Sequence, residues 1–505
     1  MLRSLKIKAG YWLEHRIKHV GTLLSGTFAI PVSFLLLTTD HFVALTPYIA
    51  NEQLIFERLT GVSNILISIV LGISLTTFSV IFVVMQLASS QFSPRILRHF
   101  LANDVKIQQY IGLFIGTVSL CILPQAASAL FYGEPYTLTL LSGIFMGVYC
   151  LVWSYPRLIT YLSINMNVAA IIDRIRQEVV KEINIIYPEK WQHGQSMLYA
   201  VPRPDKDRYS INITSSFKTG YLESVDYGRL EKEVTRFVDA SPWADGLLIF
   251  QVPVVGEFIM KDAGLLLTLQ TKSNPTTEQQ QELEKTFSNI AARAFTINTF
   301  RSYTQDINFG VRKLVDIAIK AISPAVNDPT TCLNCIDHLG DIAHNLQVRR
   351  YPGAEACKLK YKNIIAKEFN FDQFIDFCFD QIYQWGKEDP TVVRRLLQTQ
   401  TVLMQNAVNP YNAMVLIRQV RDMELPLLYN ETTVAERQIK ISREKLEGVN
   451  HELDNFESEA KLRVRKMEQM GLLEYTATGE SPAIEAKEIT SIAYLKDFIS
   501  GSNTL

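Results

Sequence analysis

Four long uncharged apolar stretches follow one another in the first third of the chain, at residues 19–39, 59–94, 107–133 and 135–156. A bilayer core of ~30 Å needs about 20 helical residues to cross it, so this pattern predicts four spans rather than four buried helices of a soluble domain. The pattern changes near Asp173. Strand-like runs follow at 210–215, 220–225 and 246–255, with a helix-like insert at 227–238, a helix at 277–304 and a helical pattern after about residue 360. From 433 to 470 charge density rises, and Ile439, Leu446, Val449, Leu453, Phe456, Ala460, Met467 and Met470 fit a heptad seam interrupted by Arg463. That seam suits either an oligomeric coiled coil or a helix folded back on its own domain. Residues 477–486 read as a linker before a short helix at 488–499.

The expected fold class is a membrane α-helical part of four spans plus a cytoplasmic α+β domain, with a small β-rich module and a mostly helical C-terminal region. The expected boundaries are a basic juxtamembrane segment at 1–18, the spans at 19–170, the β-rich module at 171–275 and a helical domain at 276–430. A charged helix or coiled coil at 431–475 and a linker with a short helix at 476–505 complete the chain.

Charge sharpens this division. The 505 residues carry 50 Lys/Arg and 51 Asp/Glu, a net charge of −1 that argues against a general nucleic-acid binder. Only 16 of these charges fall in residues 1–170. Basic residues gather on one side of the spans: Arg3, Lys6, Lys8, Arg16 and Lys18 at the start, Arg95, Arg98 and Lys106 between the second and third spans, and Arg157, Arg174 and Arg176 after the fourth. The opposite loops hold only Arg58. The excess of basic residues on cytoplasmic loops then predicts a membrane protein with both termini cytoplasmic. The first span is too long for a cleaved signal, contains Pro31 and has no Ala-x-Ala exit, so it is expected to remain as an anchor.

The second span carries a stripe of small and polar residues, Asn64, Ser68, Gly72, Thr76, Ser79, Gln86 and Ser90, at spacings of three, four or seven. Such a stripe lets helices approach closely, or lines a water-filled path without a charged filter. Both readings stay open.

The densest segment of the soluble part is DINFGVRKLVDIAIKAISPAVNDPTTCLNCIDHLGDIAHNL, beginning at Asp306. Arg312, Asp316 and Lys320 are spaced for an ion-pair ladder on one helix face. Ser323 and Pro324 end that helix. Asp328 before Pro329 opens the next, as an N-cap followed by a first-turn proline. The turn of Ser323, Asn327, Asp328, Thr330 and Thr331 is therefore a helix cap, or else a site for a small anionic ligand.

Other chemistry is thinly represented. Cys332, Cys335 and His338 have metal-like spacing, but steps of three spiral around a helix and do not converge on one ion, so no metal and no cofactor is expected. Ser215-x-x-Lys218 and Lys218-Thr219-Gly220 share one lysine and lack the third element of the penicillin-binding motifs. Lys261 lies between Gly256 and Gly264 in a V-x-V-x-G rhythm similar to half of a lipoyl-type module, without being at a hairpin tip; it reads as a surface lysine. No phosphate-binding loop, dinucleotide fingerprint, zinc-protease motif or nucleophile elbow occurs, which leaves the common motif-bearing enzyme classes without support.

The residues Asp306, Phe309-Gly310, Leu314-Val315-Asp316-Ile317-Ala318, Ala321, Ser323-Pro324 and Asn327-Asp328-Pro329-Thr330, with LASSQFSPR at 87–95 and GYLESVD at 220–226, resemble a bacterial family of predicted membrane proteins, domain of unknown function 2254. The resemblance implies a multi-span N-terminal region with a cytoplasmic domain, and no particular activity. Together these features suggest an oligomeric membrane protein with the lipid bilayer and further copies of itself as partners. Two roles fit: a channel-like or transport-related assembly with a gating or sensing domain, or a membrane-anchored scaffold or signalling module without transport.

Overall fold

The computed structural model describes residue 35 and residues 52–91, 105–130, 136–165, 167–192, 208–215, 217–351, 357–361, 363–423, 436–470, 472 and 494–500. The chain divides into two compact units, Met1–Ala170 and Ile171–Leu505. The expected first span at 19–39, apart from Leu35, and the linker at 477–486 lie outside the described residues.

The first unit is helical. Helix α1 runs from Glu52–Gln91, α2 from Val105–Leu130, and α3 from Thr137–Tyr149, continuing through a π-helical turn at Cys150–Ser154 into α4 at Tyr155–Asn165. Among the described residues three stretches are long and apolar enough to cross a membrane, Gln53–Val80, Gln109–Leu130 and Thr137–Ile164. The 40 residues of α1 extend over about 60 Å at ~1.5 Å per residue, well beyond a hydrocarbon core. Small residues bring these helices together. A Cβ on Gly143 would lie 2.8 Å from the Leu120 carbonyl oxygen, and Gly147 faces Thr117 and Leu66. Ser63 is buried and accepts a hydrogen bond from Gln125 Nε2 at 3.2 Å, while Thr117 Oγ1 lies 3.0 Å from Cys150 Sγ.

The second unit is α+β. Helix α5 (Val168–Ile186) leads into strands β1 (Tyr209–Thr214) and β2 (Gly220–Val225), helix α6 (Tyr227–Ala240) and strands β3 (Leu248–Gln251), β4 (Phe258–Ile259) and β5 (Leu265–Thr271). Helix α7 (Thr277–Ala294) follows, opened by a reciprocal capping box between Thr276 and Gln279. The helix expected to continue to 304 ends here, because Phe295–Asn298 forms strand β6 beside β2. The β-branched and aromatic run Phe-Thr-Ile pairs across the sheet and puts Phe295 and Ile297 into the core.

Helices α8 (Ile307–Ala321) and α9 (Pro329–Gln347) come next, then a hairpin of β7 (Cys357–Tyr361) and β8 (Ile364–Lys367). That hairpin interrupts the mostly helical region expected at 276–430. It completes a five-stranded sheet of order β1-β5-β3-β8-β7, in which only β3 and β8 are parallel, so strands on both sides of residue 275 share one sheet. A second sheet has order β4-β2-β6. Leu222, Leu230, Phe237, Leu267 and Phe287 form the core between sheet and helices.

Helices α10 (Phe371–Gly386), α11 (Pro390–Gln405) and α12 (Pro410–Arg421) follow α8 and α9 in the helical half. Helix α8 is its centre, burying ten of its fifteen residues and packing on α9 and α10. The long charged helix α13 (Glu436–Gln469) lies along α11. Of the expected seam Val449, Phe456, Ala460 and Met467 are buried within the chain, together with Val464, whereas Leu453 is half-buried and Met470 exposed; Arg463 donates to the Ala407 carbonyl at 2.8 Å. A short helix at 494–500 buries Leu495 and Phe498.

Candidate functional site

The start of α8 is built around Asp306. Its carboxylate accepts from the Phe309 backbone N–H at 3.0 Å and pairs with the Arg301 guanidinium at 2.8 Å. The side chain is 2% exposed, and burial pushes its pKa up to about 6 although Arg301 and the backbone donors pull the other way. The turn before it is fixed by Gln305, which sits in the left-handed region at φ 56°. The Gln305 N–H donates to Glu182 of α5 at 2.7 Å, and its side chain bonds both the N–H and the carbonyl of Val225. Gly256, at φ 96°, leaves the room that Asp306 and Arg301 occupy; a Cβ there would overlap both.

One turn further, Lys313 is buried. It donates to Tyr303 Oη at 3.1 Å and lies 4.4 and 4.3 Å from the ring centres of Tyr303 and Phe309. Burial lowers its pKa to about 8, partly offset by Glu178 of α5. Gly310 lets α5 approach, since its face lies against Val179 and Tyr303.

A cavity of about 210 Å³ opens beside this helix start. Its walls come from the end of α5 (Ile185 to Tyr187), from Val254 and Val255, from Gln305 to Asn308, and from the β7–β8 hairpin and the residues after it (Lys360, Lys367 to Phe369). Tyr227 closes it, donating to Gln251 Oε1 at 2.7 Å. Glu368 is held twice, by an ion pair with Lys360 and by the Tyr187 hydroxyl at 2.9 Å. Lys360 also lies 5.0 Å from the centre of the Tyr227 ring. Asn308 is 6% exposed and its Oδ1 has no hydrogen-bond partner among the described residues. An orphaned buried acceptor costs about 1–3 kcal/mol, so a group that donates to it from the cavity would recover that energy.

The sequence-predicted residues divide. Asp328 caps α9, accepting from the Thr331 N–H at 3.2 Å and from its hydroxyl at 2.6 Å. Ser323 Oγ donates to the Lys320 carbonyl at 2.7 Å, and Asn327 stands at φ 50°. Thr330, in the first turn of α9, makes no side-chain hydrogen bond among the described residues. Arg312 and Asp316 pair at 2.8 Å, but Lys320 makes no ion pair among the described residues, so the ladder has one rung. On α1, Asn64, Ser68, Gly72, Thr76, Ser79 and Gln86 are exposed in the described unit, whereas Ser63 and Thr77 face its interior. Ser90 lies within α1, its side chain outside the described residues.

Cys332 and Cys335 are buried in α9, where burial pushes the Cys332 thiol up to about 12 and holds that of Cys335 well above the usual thiol range. A second hollow of about 350 Å³ between α9 and α11 holds Asp337, Asp341, His344 and Arg395, but its charges are already engaged. Asp341 pairs with Arg176 at 2.9 Å and Asp337 with Arg395 at 3.6 Å. Asn308, Lys360, Lys367 and Glu368 are the site residues that sequence reasoning missed. The available signal was the alternation Lys358, Leu359, Lys360, Tyr361 followed by Ile364 and Ile365, which marks a hairpin.

The family described as predicted membrane protein (DUF2254) matches residues 20–401. The chain is 25% identical over 380 residues to the uncharacterized protein MT1328 of Mycobacterium tuberculosis (strain CDC 1551 / Oshkosh), covering 73% of this chain and 69% of that protein. The uncharacterized proteins Mb1321c of Mycobacterium bovis and Rv1290c of Mycobacterium tuberculosis strain H37Rv are similar to the same degree. No solved structure matches.

Proposed function

The chain belongs to the DUF2254 family of predicted membrane proteins, and we propose that it is a membrane-embedded sensor whose α+β unit binds a small solute in the cavity beside Asn308. The observation that carries this reading is the cavity itself, with a fixed ion pair, apolar walls and a buried acceptor lacking a donor. Its position in the chain supports a signalling role. The end of α5 forms one wall, and the start of α5 follows the last apolar helix after residues 166–167. A solute that tightens Tyr187 and Glu368 would thus bias a helix joined covalently to the spans.

In this reading the protein sits in the bacterial inner membrane with both termini and the α+β unit in the cytoplasm, following its basic loops. A second reading, favoured by the outward polar stripe of α1, is that copies associate along that stripe and the solute gates a path between them. The test of the first reading uses the full chain in nanodiscs, screened by thermal shift against a panel of small polar metabolites. At least one should raise the Tm of the wild type and leave Asn308→Leu, in which the cavity is filled, unmoved. A panel that moves neither protein would sink the sensing reading.

A further inference from the structure

We propose that the cavity beside α8 binds a small dipolar ion of the α-amino-acid class, its ammonium directed to Asn308 Oδ1 and Asp306 and its carboxylate to Lys367. This rests on the sensing reading above and names the chemistry of its solute.

The polar groups of the cavity are segregated. Apart from Glu368, which is already paired, its carboxylate and amide acceptors lie at the start of α8, where Asn308 Oδ1 has no partner among the described residues and the Asp306 carboxylate is shared between Arg301 and the backbone. Its cations come from the β7–β8 hairpin, where Lys360 is committed to Glu368 and Lys367 makes no ion pair among the described residues. The unused hydrogen-bonding capacity is therefore one buried acceptor and one rim ammonium, the two ends that a zwitterion requires.

Charge balance narrows the class. The lining holds two lysines, Asp306 and Glu368; both carboxylates are already paired, with Arg301 and Lys360, so Lys367 is the uncommitted charge among the described residues. A dianion such as a phosphate ester would find one uncommitted cation and two carboxylates in the same space, and like charges there raise its cost. A lone amine would leave Lys367 unanswered. A purely apolar solute would leave Asn308 Oδ1 orphaned. A dipolar ion satisfies both ends without changing the net charge. Ile185, Ile186, Val254, Val255 and Ile307 supply apolar surface for an aliphatic side chain. The volume of about 210 Å³ far exceeds the ~10–15 Å³ that one water molecule needs.

The experiment is isothermal titration of the full chain in nanodiscs with each of the twenty standard amino acids, then with 4-methylpentanoate and 3-methylbutylamine, the two halves of leucine, and with inorganic phosphate. At least one aliphatic amino acid should bind saturably, at least tenfold tighter than either half and with phosphate not competing. Lys367→Gln, at an exposed position, should weaken that amino acid at least tenfold while leaving the amine unchanged. Asn308→Ala should weaken the amino acid and the amine alike. If an isolated carboxylate, an amine or phosphate binds as tightly as any amino acid, and the two variants weaken it, the class is wrong while the sensing reading stands. If nothing binds saturably, or binding ignores both variants, the amino-acid assignment falls, and the sensing reading is decided separately by the metabolite panel above.

Discussion

Gly310 on α8 lies against Val179 on α5 so closely that a β-carbon on the glycine would overlap the valine Cγ2. Helix α5 reaches the α8 start only because of this contact, and from it Glu182 takes the Gln305 N–H that shapes the turn before Asp306. Gly310→Ala should therefore destabilise the α+β unit by about 1–3 kcal/mol, the usual range for overpacking a dense interface. Chemical denaturation of the full chain, followed by tryptophan fluorescence, measures it. Adding Val179→Ala should recover part of the loss, because the two substitutions act on one contact. Purely additive losses would mean that the helices are not held by this pair.

The pH dependence of stability carries a signature of Asp306. Its folded pKa is raised from 3.8 to about 6 by burial, so the folded state binds the proton more tightly than the unfolded state does. Stability from this group is then fully present below about pH 4 and is lost as pH rises through about 6, a change of about 3 kcal/mol for a shift of roughly two units. Asp306→Asn keeps an oxygen to cap α8 and removes the titration. Wild type minus variant, measured from pH 4 to 7, should fall with rising pH; a difference that rises instead would show that the Arg301 ion pair outweighs burial.

How much of this was legible in the sequence depends on where the signal lay. Aspartate before proline marked a real helix start: Asp328 accepts from a first-turn N–H, because a side-chain cap is a local interaction, and the structure repeats the arrangement at Asp389 and Asn409. The apolar face of α8 was visible from its 3.6-residue period, and GYLESV is strand β2. What failed was non-local. Strand β6 follows α7 without a break and is a strand because β2 lies beside it. The cavity depends on Asn308 meeting residues from a hairpin some fifty positions later, a proximity that periodicity does not encode. On α1 the spacing of small and polar residues did not determine which of them face inward: Ser63 and Thr77 are buried, one position away from Asn64 and Thr76.

The turn after α8 behaves as a cap. Asp328→Ala should cost about 0.5–2 kcal/mol and Asp328→Asn much less, since asparagine caps nearly as well. Thr331→Ala should lose part of the same energy, because its hydroxyl bonds the capping carboxylate at 2.6 Å. Asp328 already occupies the helix start with negative charge, so inorganic phosphate at constant ionic strength should not raise the Tm of the wild type. A saturable rise that disappears in the Thr330→Ala and Thr331→Ala variants would instead establish the anion site.

The last prediction concerns the two polar faces of α1. Ser63 is inside the helical unit, bonded to Gln125, and Gly143 meets the backbone of α2, so Ser63→Leu and Gly143→Leu should disrupt folding of that unit, read as lost monodispersity in detergent. Ser68, Thr76 and Ser79 face outward, and their hydroxyls bond the carbonyls of Asn64, Gly72 and Leu75 at 2.9, 2.8 and 2.9 Å. Each is satisfied by its own helix and needs neither water nor a partner chain. Leucine at Ser68, Thr76 or Ser79 should accordingly leave folding intact, and cysteines there should resist small hydrophilic thiol reagents because lipid surrounds them. Liposomes bearing the wild type should hold their solutes, with or without the amino acid that fills the cavity. Rapid modification of the stripe cysteines, together with solute flux that bulky residues at Thr76 or Ser79 block, would show instead that α1 lines an aqueous path. In that case the α+β unit would be the gate of a channel and not a sensor that acts without one.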